Sequence, residues 1–323
     1  MSFSSLPLPP RNKHAVVVPS SVSWLQFAIV ALDSFVRAVP NPNDIDLCLL
    51  VSSRVQSAVR DIVQQANLDF EIQVHGFDSA MLSDYHITSR WSEVSWYKTT
   101  LPSLPEYESY ERILLMGVDV YCTKINTDIF TSPLTCSIGA VREPRNSPTY
   151  QYPPFNEATS RYFNADVLLY NCNQWQLNGE SNKIRQASIS SNKPCPFADQ
   201  DVLNHYFKEN WDELPLTFNW IPALNNLLTY RRFGTPSIVQ WAGKWKPWDS
   251  ALVPPLGMTR QWRKRYNEIW NRKLNFNPEL SIQGLARKKP LRAVLAFYAP
   301  LLLPIINLAP RIRDKFRLIR KIS

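Results

Sequence analysis

Polar side chains that could bind a charged ligand stand beside apolar segments in three parts of the chain. Asp119 comes shortly after the apolar run ILLM, and Lys246 lies in the segment KWKPW. A carboxylate at the end of a buried strand lies at the sheet edge where open α/β proteins bind ligands, although Asp119 could also cap the next element. Asp199 and Gln200 precede an apolar segment, where they either face a ligand or cap a helix.

The elements that position these residues alternate in type. Apolar patterns predict a strand at 14–18, a helix at 24–39, a strand at 45–51, a helix at 54–66, a strand at 70–75, a helix at 95–104 and a strand from 112. This order indicates a largely parallel sheet that is covered by helices on both faces. Asp119 would then lie at the carboxyl edge of a central strand.

Composition and spacing argue against several other classes of site. The five cysteines are scattered without a CxxC pair, which favours reduced, buried thiols, and the four histidines lack metal-ligand spacing. The chain contains neither GxxxxGK[ST] nor GxGxxG. The net charge of +9 is concentrated from residue 260 onward, where 16 Lys and Arg face three acids. Because the basic balance is terminal rather than global, we do not expect nucleic-acid binding.

Several segments carry a resemblance in their order and spacing. They are MGVDV at 116–120, YFNADVLLYNCNQW at 162–175, ADQDVLN at 198–204, LPLTFNW at 214–220 and QWAGKWKPW at 240–248. Over residues 13–250 the chain resembles glycosyltransferase family 8, the glycogenin and lipopolysaccharide galactosyltransferase group. The segment SWYKTTLP at 95–102 is similar to the family's Tyr-x-Arg helix. The combination is far more specific than any one segment.

The resemblance implies an α/β fold with a single Rossmann-like nucleotide-diphospho-sugar transferase domain and a mixed, mostly parallel central sheet. It also implies transfer of a hexose from a nucleotide-diphosphate sugar, UDP-linked by default, to a glycan or lipid-linked acceptor with retention of configuration. The alternative is a catalytically silent binding or scaffold module of the same fold. We expect a flexible leader at 1–12, a catalytic domain at 13–255 and a basic, partly apolar helical extension at 256–323.

The same resemblance assigns roles to individual residues. Asp199 and Gln200 match the family's catalytic pair beside the anomeric carbon. The residues that match its donor-binding positions are Lys98, Asp119, Asn164, Gly243 and Lys246. Asp166 stands where the family usually has glycine, which predicts a narrower pocket or altered donor selectivity.

The metal-binding pattern of the family is incomplete in this chain. Of the two carboxylates in Asp-x-Asp only Asp119 is present, because Gly117 occupies the first position, and Gln240 replaces the late histidine. One carboxylate and one amide make a poor transition-metal site. Three arrangements remain open: a weakly held Mg²⁺ or Mn²⁺ at Asp119, loss of catalysis, or metal-independent action through basic side chains. The candidates for that last arrangement are Lys98, Lys244 and Lys246.

The C-terminal segment has its own pattern. Residues 293–309 carry no charge, contain Pro300 and Pro304, and have basic residues on both sides. A spanning helix needs about 20 apolar residues without such breaks. We expect residues 285–323 to attach peripherally to a membrane, with a packed helical hairpin or a nucleic-acid contact as alternatives. Since residues 1–14 contain no signal-peptide pattern, the expected location is the cytoplasmic face of the inner membrane.

Overall fold

The computed structural model describes most of the chain up to residue 274. The described residues are 12–85, 92–145, 147–151, 160–190, 195–222, 235–243, 246–249, 253 and 256–274. The predicted leader at 1–12 lies almost entirely outside this set, as do Lys244 and the predicted membrane contact at 285–323.

A seven-stranded mixed sheet forms the centre of the fold. Its strands in chain order are β1 (His14–Pro19), β2 (Ile45–Ser52), β3 (Gln73–Phe77), β4 (Arg112–Met116), β6 (Ile138–Arg142), β7 (Phe163–Asn171) and β8 (Asp212–Glu213). The spatial order is β3-β2-β1-β4-β7-β6-β8. The neighbouring pairs β3–β2, β2–β1, β1–β4 and β6–β8 are parallel. Strand β7 is antiparallel to both of its neighbours, β4 and β6. The predicted mixed, mostly parallel sheet is therefore confirmed.

A second, two-stranded sheet lies directly after the central strand β4. It pairs β5 (Val120–Cys122) with β9 (Ile238–Gln240) in antiparallel orientation, with Val120 opposite Gln240. Only Gly117, Val118 and Asp119 separate β4 from β5. This short turn holds the start of β5, and the segment after β9, at the carboxyl end of the main sheet.

Helices cover both faces of the sheet because its strands alternate apolar side chains toward each face. The described helices are α1 (Leu25–Ala38), α2 (Gln56–Gln65), α3 (Asp128–Thr131), α4 (Cys172–Asn178), α5 (Glu180–Ser190), α6 (Asp199–Phe207) and α7 (Leu256–Trp270). Val16 and Val18 belong to the core with α1, α2 and α7, whereas Ala15 and Val17 belong to the core with α4 to α6.

One predicted helix takes a different form. Residues 95–104 do not form an α-helix but two 3₁₀ helices, Glu93–Thr99 and Leu101–Ser103. Pro102 lacks the backbone donor that an α-helix needs, and the Thr99 hydroxyl donates to the Trp96 carbonyl at 2.7 Å. The other described 3₁₀ helices are Val22–Trp24, Pro42–Asp44, Ser53–Val55, Ser79–Leu82, Pro148–Gln151 and Leu216–Phe218.

The beginning of the predicted C-terminal extension packs into the main core. α7 places Trp262 and Tyr266 among the buried residues of the α1 face. Its Arg265 forms a two-pronged ion pair with the fully buried Asp33 of α1, at 2.6 and 2.7 Å. Among the described residues, no helix combines the length and apolar character needed to cross a bilayer.

Candidate active site

An open cleft of about 240 Å³ lies at the carboxyl ends of β1 and β4. Its walls are the turn after β1, the 3₁₀ helix Glu93–Thr99, the turn between β4 and β5, and the segment that follows β9. The polar and charged residues that line it are Ser20, Ser21, Ser92, Ser95, Lys98, Asp119, Asp166 and Lys246. This is the sheet edge at which open α/β folds bind ligands.

Asp119 and Lys246 meet in this cleft although they are far apart in the chain. The Trp241 N–H donates to the Asp119 carbonyl at 2.9 Å, which extends the β5–β9 pairing by one residue. Lys246 Nζ donates to the Asp119 carboxylate and, at 2.6 Å, to the Trp241 carbonyl. Burial raises the pKa of Asp119, and the ammonium of Lys246 opposes that rise. The ion pair therefore presents a cation at the rim of the sheet.

Lys98 forms a second cationic centre in the lining of the cleft. Its Nζ lies 2.9 Å from Asp199 Oδ2 and 3.2 Å from Asp166 Oδ1, and it donates to the Ala165 carbonyl at 3.0 Å. Burial disfavours the ammonium, but the carboxylates of Asp199 and Asp166 outweigh it, so the pKa of Lys98 lies above its usual value. Burial raises the pKa of Asp199 against the effect of Lys98. Lys98 thus connects the cleft with Asp199.

Asp166 lies across from Gly117. The register of β4 and β7 ends with Met116 opposite Val167, and the Gly117 N–H then donates to the Asp166 carbonyl at 2.7 Å. A Cβ at Gly117 would lie 3.3 Å from Asp166 Cβ and 3.1 Å from Asp119 Oδ1. The Asp166 side chain therefore adjoins the position where the family has the first carboxylate of Asp-x-Asp.

Gln240 bonds to Asp166 from the second sheet. Its side chain is fully buried, and its Nε2 donates to Asp166 Oδ2 at 2.5 Å. Its Oε1 has no hydrogen-bond partner in the described part of the chain. The described residues contain no cluster of three His, Cys, Asp or Glu that could hold a metal. The two carboxylates and the free amide oxygen nevertheless fit a hard cation such as Mg²⁺ or Mn²⁺.

A hydrogen-bonded network that does not line the cleft surrounds Asn164 and Gln200. Asn164 Nδ2 donates to Glu143 Oε1 at 3.0 Å, and Gln200 Nε2 donates to the same oxygen at 3.3 Å. Gln200 Oε1 accepts from the Ala165 N–H at 3.0 Å. Tyr162 donates to Asp201 Oδ1 at 2.6 Å, and burial raises the pKa of Asp201 to about 6.

Aromatic side chains form the rim near β1. Trp24, which is 41% exposed, and Trp248 both line the cleft, and their rings are 5.5 Å apart. Trp248 stacks on Phe27 at 4.0 Å with an interplanar angle of 3°. The rigid stack leaves the Trp24 face available to a flat ligand group.

A family model described as glycosyl transferase family 8 matches residues 16–251. The chain belongs to this family. The match spans every described wall of the cleft, and it confirms the resemblance that the sequence motifs carried.

Solved structures with a similar fold include other glycosyltransferases. An active-site mutant of LgtC has a TM-score of 0.64 and is 18% identical, covering 79% of this chain and 96% of LgtC. The galactosyltransferase LgtC with donor and acceptor sugar analogs gives a TM-score of 0.59 at the same identity and coverage. GlyE from Streptococcus pneumoniae gives 0.57 at 19% identity, covering 81% of this chain and 62% of GlyE. At these identities the likeness establishes the fold.

Curated relatives in sequence are longer than the matched region. GlyF from Streptococcus pneumoniae is 25% identical over 166 residues, which are 50% of this chain and 37% of GlyF. A probable glycosyl transferase, Gly, from Streptococcus gordonii is 24% identical over 208 residues, or 64% of this chain and 27% of Gly. The chain therefore spans about a third of the length of these relatives.

The family 8 positions predicted from the sequence fall into three groups. Lys98, Asp119 and Lys246 line the cleft, and Asp199 adjoins it through Lys98. The side-chain amides of Asn164 and Gln200 instead bond to the buried network and do not line the cleft. Gly243, the third residue after β9, is exposed and has φ +83°. Asp199 is the first residue of α6, and its carboxylate is held by Lys98 instead of capping that helix.

Sequence reasoning missed two features of this family 8 site. The sequence predicts for Asp166 only a narrower pocket or altered donor selectivity, whereas the structure also places it beside Gly117. The buried carboxylate of Glu143, which accepts hydrogen bonds from Asn164 and Gln200, was not singled out. The segment FNADVLLYN predicts a strand, but only its antiparallel register beside β4 brings Asp166 to Gly117. Nothing in the sequence pointed to Glu143.

Proposed function

We propose that this protein transfers a hexose from a nucleotide-diphosphate sugar, with UDP as the expected nucleotide, to a glycan or lipid-linked acceptor. One observation carries the proposal. Asp119 and Lys246 form an ion pair within a single open cleft at the carboxyl edge of the central sheet. A departing diphosphate gains negative charge during transfer, so a site for it needs cationic groups at fixed positions. Family membership supplies the reaction class.

Lys246 is placed to bind the leaving diphosphate. Its ammonium is held at the rim by the Trp241 carbonyl, and it can exchange the Asp119 carboxylate for a phosphate oxygen without moving its stem. When bound, Mg²⁺ or Mn²⁺ held by Asp119, Asp166 and Gln240 would supply further positive charge to the diphosphate. Lys98 would keep Asp166 oriented toward this position.

Asp199 is placed to act on the sugar. The Lys98 ammonium holds its carboxylate at 2.9 Å and favours its charged form against burial. A fixed carboxylate of this kind would stabilise the positive charge that develops on the sugar ring and would orient its hydroxyl groups. We propose that Gln200 positions β7 through the Ala165 N–H, rather than contacting the sugar ring. Retention of configuration is proposed from the family resemblance.

The aromatic rim is proposed to hold the nucleobase. Trp24 offers an exposed ring face beside the cleft, backed by Trp248 and Phe27. Stacking on such a face tolerates any flat base, whereas hydrogen bonds from Ser20 or Ser21 would select one. The base would then lie next to β1, with the diphosphate between it and Asp199.

The acceptor proposal rests in part on the C-terminal sequence. We propose that residues 285–323 bind an anionic membrane surface, where a lipid-linked acceptor would lie. Deleting this segment should abolish co-sedimentation with anionic liposomes and leave donor hydrolysis unchanged. Equal sedimentation of the full chain and the truncated chain would contradict membrane attachment.

Donor binding and turnover test the main proposal separately. A panel of nucleotide-sugars is screened for thermal stabilisation, because a ligand that binds the folded state raises its melting temperature. The stabilising donor is then used in a hydrolysis assay with Mn²⁺, Mg²⁺ or chelator. Asp199→Asn should retain donor binding within about threefold and lose turnover by about 100-fold.

The outcomes separate the enzyme from its alternative. Binding without turnover, in the presence of any sugar acceptor tried, would favour a catalytically silent binding module of the same fold. Failure of every nucleotide-sugar to stabilise the protein would overturn the donor site itself.

A further inference from the structure

Gly117 and Asp166 are cross-strand neighbours. The pair that follows Met116 and Val167 in the register of β4 and β7 is Gly117 and Asp166, joined by an N–H to carbonyl hydrogen bond of 2.7 Å. Directly opposite residues in an antiparallel pair carry side chains on the same face. A carboxylate on either residue would therefore serve the same side of the sheet edge.

Asp166 also explains why residue 117 is glycine. Gly117 does not have a positive φ, so its backbone conformation does not require glycine. The restriction comes from its neighbours, because a Cβ would lie 3.3 Å from Asp166 Cβ and 3.1 Å from Asp119 Oδ1. The space beside Asp119 can thus hold a carboxylate from β7 or a side chain at residue 117, and in this chain it holds Asp166.

The side chain that bonds to Asp166 carries an unpartnered oxygen. Gln240 is fully buried, and its Nε2 contacts Asp166 Oδ2 at 2.5 Å. Its Oε1 belongs to the same planar amide, yet it has no hydrogen-bond partner among the described residues. A buried amide oxygen without a donor costs about 1–3 kcal/mol, a cost that a bound cation would remove.

The charged residues in the cleft and beside it leave room for a further cation. The described carboxylates of Asp119, Asp166 and Asp199 carry three negative charges, and Lys98 and Lys246 carry two positive ones. The resulting net charge of these five residues is negative, which would repel an incoming diphosphate. One divalent cation reverses its sign.

We propose that Asp166 has taken over the ligand position that is vacant at Gly117. Asp119, Asp166 and Gln240 Oε1 then form an oxygen-only site for Mg²⁺ or Mn²⁺, which diphosphate oxygens and water complete to six ligands. The carboxylate pair is thereby preserved across two strands instead of within one Asp-x-Asp turn. This inference rests on the proposed function, since the diphosphate supplies part of the coordination.

A ligand swap tests the relocation directly. Binding of Mn²⁺ in the presence of UDP is measured from the loss of the free Mn²⁺ signal in electron paramagnetic resonance, which does not depend on turnover. Asp166→Asn should weaken Mn²⁺ binding at least tenfold. The double variant Gly117→Asp with Asp166→Gly should restore the affinity to within about threefold of the natural protein, because it moves the carboxylate back across the strand pair.

Control variants separate this site from general charge effects. Asp61→Asn removes an exposed carboxylate of α2 and should leave Mn²⁺ binding unchanged. Gly117→Asp alone should bind Mn²⁺ no better than the natural protein, because the new side chain meets Asp166. Circular dichroism verifies that each variant is folded.

Three results would overturn the inference. The first is an Asp166→Asn protein whose Mn²⁺ affinity lies within twofold of the natural chain, and the second is a folded swap variant no better than Asp166→Asn. The third is tight metal-free UDP binding that Mn²⁺ does not enhance, which would leave the proposed function intact. Absence of UDP binding under every condition would instead overturn both the inference and the donor site.

Discussion

Two groups of polar residues flank β7, and they differ in how their charges are satisfied. In the cleft, Lys246 holds Asp119 at the open rim, and the nearly inaccessible Lys98 holds Asp166 and the adjoining Asp199. Outside the cleft lining, Glu143 is nearly inaccessible and accepts hydrogen bonds from neutral side chains. Those donors are Ser147, Thr149, Asn164 and Gln200.

The difference separates residues that can exchange partners from residues that cannot. An ion pair at an open rim can give up one partner to a charged ligand at little cost, because the ligand replaces the lost charge. A fully hydrogen-bonded buried carboxylate has no such replacement, and losing it leaves several donors unsatisfied. We therefore expect substitutions in the cleft to affect ligand binding and turnover, and substitutions in the buried network to affect folding stability.

Lys246→Met changes a residue that lines the cleft, and we expect it to have the largest effect. Methionine keeps an unbranched side chain of similar length but removes the charge that faces the diphosphate. We expect kcat/KM for donor hydrolysis to fall about 100- to 1000-fold. Steady-state kinetics on folded protein measure the change.

The matched control is Lys264→Met on α7. Lys264 is 75% exposed and pairs with Glu268 at 3.7 Å, so the substitution has the same chemistry without a role in the cleft. Its kcat/KM should stay within twofold. Equal losses in the two variants would show that net charge, not the position of Lys246, governs donor use.

Glu143→Ala tests the buried network. It leaves the donors of Ser147, Thr149 and Asn164 without their acceptor, and we expect the free energy of unfolding to fall by about 3 kcal/mol. Chemical denaturation measures this quantity. Glu209→Ala removes a surface carboxylate that pairs with Arg161 at 3.5 Å and should cost less than about 0.5 kcal/mol. A loss of donor affinity without a loss of stability in Glu143→Ala would show that this residue serves the donor site and not the stability of the fold.

The residues of the cleft could be predicted from the sequence more fully than those of the buried network. Asp119 follows an apolar run that predicts a central strand, and the order of the predicted elements then indicates the edge at which it lies. The family motifs predict that Lys246 lies at the same edge, and the structure shows an ion pair between Asp119 and Lys246. The motif match for Gln200 could not reveal its partners, because hydrogen bonds to Glu143 and Ala165 depend on how α6 packs against β7.

Short-range hydrogen bonds and strand register also limited the prediction of secondary structure and of strand pairing. The apolar pattern of residues 95–104 favours a helix, but hydroxyl groups that bond to nearby carbonyls and a proline convert it into two 3₁₀ helices. The pairing of Gly117 with Asp166 needed the antiparallel register of β4 and β7, which apolar alternation alone does not fix. Spacing along the chain therefore identified the residues, whereas contacts between strands decided their partners.

Asp201 offers a pH-dependent test of the buried network. Burial raises the pKa of its carboxyl to about 6, with Asp199 and Glu143 adding to the rise and the Tyr162 hydroxyl opposing it. A raised carboxyl pKa means that the folded state favours the proton, so its contribution to stability is present at pH 4 and is lost as the pH rises through about 6. The stability of the natural chain relative to Asp201→Asn should fall by about 2 kcal/mol from pH 4 to pH 7. Urea unfolding across this range measures it, and a difference that does not vary with pH would contradict the assignment.

Gly243→Ala should give the smallest effect, and it acts through the backbone that carries Lys246. Gly243 has φ +83°, and an added Cβ would meet no atom of the described residues within 4 Å, so the expected cost comes from the left-handed conformation. We expect a penalty of about 1 kcal/mol, seen as weaker donor binding if the segment after β9 shifts with Lys246. Gly257 of α7 has equally open surroundings but no positive φ, so Gly257→Ala should stabilise the helix by about 0.5 kcal/mol and leave donor binding unchanged. Isothermal titration with the donor, together with denaturation, measures both. If both alanines stabilise the fold and neither affects the donor, the position of Lys246 does not depend on the turn at Gly243.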